Sequence, residues 1–117
     1  MNLEMRDFAI RDLGCTPCST RGLRVPCEKH HLNDGDQPGR KRRGERFTVG
    51  LCQWHHVGRC HCTGAIRDCE TCKANCGPSW RHHKREFLDT YGDGDALLAL
   101  QDLRIAGWKA GGLEKAA

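Results

Sequence analysis

Apolar positions in this chain are concentrated towards its two ends, while its middle is written in Cys, His, Gly and charged residues. Leu3, Met5, Phe8, Ala9 and Leu13 recur at roughly helical spacing, so the pattern predicts a short helix over 2–13, stopped by Gly14. From Arg24 to Leu32 the β-branched Val25 and Pro26 disfavour helix and favour an extended segment. The run Asn33-Asp34-Gly35-Asp36-Gln37-Pro38-Gly39 is turn chemistry, and Arg46 to Gly50 reads as a second short strand. Two strands on one long loop make an antiparallel pair, ended by Cys52, after which a short helix carries His55 and His56.

Residues 60–76 show no periodicity and read as a loop that bound metal must order. Gly77-Pro78-Ser79 punctuates the chain, and Ser79 is expected to cap a helix that runs to Tyr91 and closes at Gly92. Asp95 is expected to cap a last helix with Leu97, Leu98, Leu100, Leu103 and Ile105 on a broad apolar face, ended by Gly107, with Trp108 packing back. The expected organisation is one domain over 1–117: a core of about 10–92, a C-terminal helix of about 95–106 and a frayed tail over 107–117.

Composition says what must hold such a chain together. Hydrophobic residues make up 38% only when nine Cys are counted, and aromatics 6%, so little apolar area is left for a core. Small domains of this kind need disulfides or metal. An odd Cys count prevents complete pairing within one chain, and neither a signal peptide nor a membrane-length apolar run is visible. A reducing, cytoplasmic setting is therefore expected, where Cys-x-x-Cys means metal or redox chemistry. The redox reading needs a thioredoxin-like βαβ unit, which is absent, and seven His interleaved with the Cys favour metal. The net charge of +4 permits a polyanion partner, and the cluster Arg40, Lys41, Arg42, Arg43 says more than the total.

Three constellations carry the chemistry. Cys15, Cys18, Cys52 and His55 give Cys-x-x-Cys followed by Cys-x-x-His, three sulfurs and one nitrogen suited to a closed tetrahedral zinc site. Cys60, Cys62, Cys69, Cys72 and Cys76 offer five thiols for a second structural zinc, any four of which suffice; His61 and Cys27 are spare candidates. His30, His31 and His56 then remain, and neutral imidazole serves both as a divalent-metal ligand and as a base near pH 7.

These residues carry a resemblance. Strand-loop-strand-helix order, Glu28-x-His30-His31 and Leu51-Cys52-x-x-His55-His56 behind a Cys-x-x-Cys resemble HNH endonucleases of the ββα-metal class. Gly14-Cys15-x-x-Cys18, Pro26-Cys27-Glu28, Trp54, Gly77-Pro78-Ser79, Lys84, Phe87 and Tyr91-Gly92 are in addition similar to the phage Ref family, whose members are RecA-dependent nucleases acting in recombination; the resemblance spans about 10–100. It implies an α+β fold with a small zinc-stabilised ββα-metal (HNH, treble-clef-like) core and flanking helices. It implies His31 as general base and His30 and His56 as ligands of a catalytic Mg²⁺, Mn²⁺ or other divalent ion, giving 5′-phosphate and 3′-hydroxyl ends. The family's middle Asn has no clear counterpart; Phe47 or Glu45 falls near its place, and Glu45 is the candidate side chain for orienting His31.

DNA contact is expected from charge and placement at Arg40, Lys41, Arg42 and Arg43 and at Lys84 and Arg85, the latter beside Arg81, His82 and His83. Phosphate contacts without a recognition helix mean low sequence specificity. The expected partners are DNA and, second, a RecA-type nucleoprotein filament, with a monomeric phage or prophage protein in the cytoplasm of a bacterial host. The competing expectation is a non-catalytic zinc-binding DNA or protein adaptor; a zinc hydrolase of another kind lacks its usual His-Glu-x-x-His signature.

Overall fold

The computed structural model describes residues 2–32 and 44–116. The turn expected at 33–39 and the basic cluster Arg40, Lys41, Arg42, Arg43 therefore lie outside the described residues. Among the described residues the chain is a small α+β fold in the order α1 (Leu3–Leu13), α2 (Thr16–Ser19), β1 (Glu28–His31), β2 (Thr48–Leu51), α3 (Gln53–Val57), α4 (Glu70–Cys76), α5 (Lys84–Tyr91) and α6 (Gly94–Ala116). No helix is long and apolar enough to cross a membrane.

Helix α1 starts at Asn2, whose Oδ1 accepts from Met5 N at 2.8 Å, and stops at Gly14, where φ is +82°. Its buried face is not the one the spacing of Leu3, Met5 and Phe8 suggests: those three are exposed, and Ala9 and Ile10 are buried against Ile105 of α6. Phe8, 61% exposed, meets Trp108 with ring centroids 6.0 Å apart, and Trp108 Nε1 donates to Asp12 Oδ2 at 2.8 Å.

The sheet has two antiparallel strands, in the register Glu28↔Leu51, Lys29↔Gly50, His30↔Val49, His31↔Thr48. All four residues of β2 are buried, because helices cover both of its faces. On one face Thr48 is gripped by Arg6 of α1, whose Nε reaches Oγ1 at 3.0 Å and whose Nη2 reaches the carbonyl at 2.7 Å. There Gly50 admits no side chain, since a Cβ would lie 2.8 Å from Cys27 Sγ and 3.0 Å from Ile10 Cγ2. On the other face Val49 and Leu51 join Leu32, Phe87, Tyr91 and Leu97 in a core cluster. Gln101 of α6, fully buried, ties these parts together: its Oε1 accepts from Gly50 N at 2.8 Å and from Thr16 Oγ1 at 2.7 Å.

Three expectations about the second half need correction. Residues 60–76 are not all loop: Arg59 bridges Ile66, and α4 follows Cys69. Ser79 does not cap the next helix. It is fully buried, its Oγ accepts from Arg81 N at 3.2 Å within a turn, and α5 begins only at Lys84. The last helix does not end at Gly107 but continues to Ala116; Asp93 Oδ1 accepts from Ala96 N at 3.0 Å at its start, and Leu103 is 70% exposed rather than on the apolar face. A Gly inside a helix costs about 1 kcal/mol relative to Ala, too little to break one already docked on α1.

Candidate metal centres

The first centre is assembled from the two ends of the fold's first half. Pro17 at the start of α2 pre-sets a one-turn helix that brings Cys15 and Cys18 onto one side. Cys52, ending β2, is the N-cap of α3, and its Sγ accepts from His55 N at 3.5 Å. His55 Nδ1 then lies 3.3 Å from Cys15 Sγ, 3.4 Å from Cys18 Sγ and 3.2 Å from Cys52 Sγ, and Cys18 and Cys52 are 3.8 Å apart. A tetrahedral zinc, with Zn–S of about 2.3 Å and Zn–N of about 2.0 Å, spaces its ligands roughly 3.5–3.8 Å apart. Sulfurs 3.8 Å apart are far beyond disulfide bonding, and all nine Cys are free thiols.

All four ligand residues are fully buried. Burial pushes the Cys15 thiol up to about 12, while hydrogen bonds from Cys15 and Cys18 pull Cys52 down. One shared anion with its neighbours kept protonated is how adjacent thiols titrate on their own; three thiolates together require a cation. The orientation of His55 is fixed from behind. Its Nε2 donates to the Cys76 carbonyl at 2.8 Å, which leaves Nδ1 as the lone-pair nitrogen, and Tyr91 Oη donates to the same carbonyl at 3.0 Å. Gly77 makes this approach possible: its φ is +95° and any Cβ there would collide with Tyr91 Oη.

The second centre gathers Cys60, Cys62, Cys69 and Cys72, with Sγ separations of 3.8 Å for Cys60–Cys72, 3.9 Å for Cys62–Cys69 and 4.0 Å for Cys62–Cys72. Of the five candidate thiols, Cys76 is the one left out; its side chain lies towards Cys18 and the first centre, and burial raises its pKa. His61 is exposed and Cys27 donates to the Ile10 carbonyl at 3.3 Å, so neither spare candidate joins a centre. Two histidines expected to face DNA instead brace this loop: His82 Nε2 meets the Gly58 carbonyl at 2.9 Å, and His83 Nε2 meets Asp68 Oδ1 at 2.8 Å. In both centres the ligand atoms lie within 4.8 Å of one another, so each could bind zinc.

The remaining histidines are divided by the strand. Successive side chains of β1 point to opposite faces. Glu28 and His30 face α3, where the rings of His30 and His56 stand edge to face with centroids 4.5 Å apart. Burial, then the neighbouring His56 and His31, lowers the His30 pKa to about 4, so its imidazole is neutral and a competent ligand at pH 7. His56 Nδ1 is buried and has no hydrogen-bond partner among the described residues; the carboxylate oxygen Glu28 Oε2 is 3.7 Å away, beyond hydrogen-bonding reach. Gln53 Nε2 donates to the other oxygen of Glu28 at 3.3 Å.

His31 points the other way, and its Nε2 is 2.9 Å from Glu45 Oε2. That hydrogen bond holds the Glu45 carboxyl below its ordinary range. His30, His31 and His56 are thus not drawn to one point: among the described residues, only the two Cys-rich centres bring three or more ligand atoms within 4.8 Å of one another. Of the cations expected to meet DNA, Lys84 stands over the Trp80 ring, 4.7 Å from its centroid, and Arg85 is exposed. The contacts of Lys29 with Asp7 and of Tyr91 with the Cys76 carbonyl are not signalled by spacing, because each joins residues distant in the chain.

No curated protein and no solved structure matches the chain. The family described as recombination enhancement, RecA-dependent nuclease, matches residues 4–106. That range takes in both Cys-rich centres, the His30–His56 pair and α6 almost to Trp108, and the chain belongs to this family of recombination nucleases.

Proposed function

We propose that the chain is an HNH endonuclease of the ββα-metal class, hydrolysing DNA phosphodiester bonds with low sequence specificity during phage recombination, and that it acts with a RecA filament. The observation that carries the reading is the His30–His56 pair across β1 and α3, with His56 Nδ1 buried and unpartnered among the described residues. A buried polar nitrogen without a partner costs free energy unless something binds it. Two imidazoles beside a carboxylate suit Mg²⁺, Mn²⁺ or another divalent ion, which would supply Lewis-acid stabilisation of the phosphorane and of the leaving 3′ oxygen.

His31 accepts a proton from the attacking water. Its Nε2 is engaged by Glu45 Oε2, so its Nδ1 is the basic atom, and Glu45 stands in for the family's middle Asn by fixing the ring. The two Cys-rich centres hold structural zinc through Cys15, Cys18, Cys52 and His55 and through Cys60, Cys62, Cys69 and Cys72. Arg40, Lys41, Arg42, Arg43, Lys84 and Arg85 contribute phosphate contacts, which give affinity without reading sequence.

The test is nicking of supercoiled plasmid with Mg²⁺ or Mn²⁺, alone and with RecA filaments, by wild type, His31→Ala and His56→Ala. Removing a general base lowers the rate by about 10²–10⁴. Equal nicking by wild type and His31→Ala would remove the proposed base. One observation favours a second reading, a zinc-binding adaptor without turnover: three or more described ligand atoms converge only at the closed Cys-rich centres. Retained DNA binding with no nicking under any of these conditions would select it.

A further inference from the structure

We infer that Lys29, anchored by Asp7 of α1, is a positioning residue for His31 and acts through Glu45. The inference rests on the reading of His31 as base. Lys29 and His31 are two apart on β1 and so share the face that looks towards α1. Lys29 Nζ lies 3.0 Å from Asp7 Oδ2 and 3.5 Å from Glu45 Oε2. The same Glu45 oxygen is the one that sits 2.9 Å from His31 Nε2. Four side chains from three segments thus form one continuous line, Asp7–Lys29–Glu45–His31.

Along this line the side chains are 32% exposed at Asp7, 21% at Lys29, 48% at Glu45 and 16% at His31, so Glu45 is its most exposed member. A glutamate that is half in water loses rotamer freedom when it is held in one geometry, and one hydrogen bond to an imidazole is a weak restraint against that loss. Lys29 adds a restraint on the same oxygen, and Asp7 fixes Lys29 to a helix that is itself docked on α6. With Oε2 held, the His31 Nε2–H has a fixed acceptor and the ring keeps a single tautomer, the lone pair on Nδ1. His30 lies on the opposite face of β1 from Lys29, so loss of Lys29 leaves the His30–His56 pair intact.

The experiment compares full-length wild type, Lys29→Met and Lys29→Arg by plasmid nicking and by ¹⁵N-detected NMR of the His31 ring. Lys29→Met is expected to lower kcat about tenfold, the scale of a small misplacement of a catalytic group. KM, the Mg²⁺ concentration for half-maximal rate and the zinc content should stay at wild-type values, and Lys29→Arg should restore most of kcat. In the spectra, wild-type His31 should show Nε2 protonated and Nδ1 bare, and Lys29→Met a mixture of the two tautomers. Unchanged kcat with an unchanged tautomer, or a loss of kcat matched by loss of zinc, would overturn the inference. If wild type does not nick at all, the base reading fails, and the ring spectra still decide whether Lys29 sets the tautomer through Glu45.

Discussion

The two Cys-rich centres hold similar chemistry in opposite architectural positions. Cys15, Cys18, Cys52 and His55 join the first turn of the chain to the end of β2, and all are fully buried. Cys60, Cys62, Cys69 and Cys72 span only one loop and the start of α4, and Cys62 is exposed. The first therefore replaces a hydrophobic core where the composition cannot supply one, while the second shapes a surface segment that His82 and His83 pin to the body. Ligand count does not rank them; the length of chain each closes and the burial around it do.

That contrast can be broken at its strong side first. Cys52→Ala should leave the chain unfolded, since zinc sites of this type contribute on the order of 10 kcal/mol, as much as a whole domain's stability. Loss of near-UV circular dichroism and of dispersed amide signals would show it. A folded Cys52→Ala protein would put the keystone elsewhere. Cys69→Ala should lower bound zinc from two equivalents to one and leave the chain folded, with amide signals lost over 59–69 and retained in β2 and α6.

Acid separates the closed centres from the His30 pocket. His30 titrates near 6.5 when unfolded and at about 4 in the native fold, so the native state binds fewer protons between those values. Its contribution is present above pH 6.5 and is lost as pH falls from there towards 4, by at most about 3 kcal/mol. In denaturant titrations wild type should therefore lose stability relative to His30→Asn as pH falls, with the slopes differing most across that window. Parallel curves would show that the pocket does not shield the ring. The smallest effect is Tyr91→Phe, which removes one hydrogen bond to the Cys76 carbonyl and should cost about 1 kcal/mol while leaving zinc content unchanged.

Much of the first centre was legible because its ligands come as Cys-x-x-Cys and Cys-x-x-His, spacings that geometry imposes on any short turn around an ion. Helix α4 was not legible, because the buried side chains of Glu-Thr-Cys-Lys-Ala-Asn-Cys are Cys72 and Cys76, and neither reads as an apolar stripe. The face of α1 was misjudged for a related reason. Leu3, Met5 and Phe8 have the right spacing, but the close approach permitted by Gly50 selects Ile10. The division of His30 from His31 follows from strand alternation, which sequence supplies; their partners, His56 and Glu45, depend on packing that sequence does not reveal. The course of α6 past Gly107 reflects docking on α1 through Ile105, a tertiary effect that outweighs local propensity.

The amide of Gly50 is held by Gln101, and Gly50 pairs with Lys29, the residue just before the two histidines. If β1 and β2 were misthreaded by a single step, every side chain of β1 would change sides: His31 would be presented to His56, and His30 to Glu45. A glutamine on the last helix thus pins this register, and an error in zipping the hairpin would exchange the surroundings of the two imidazoles as well as lose packing.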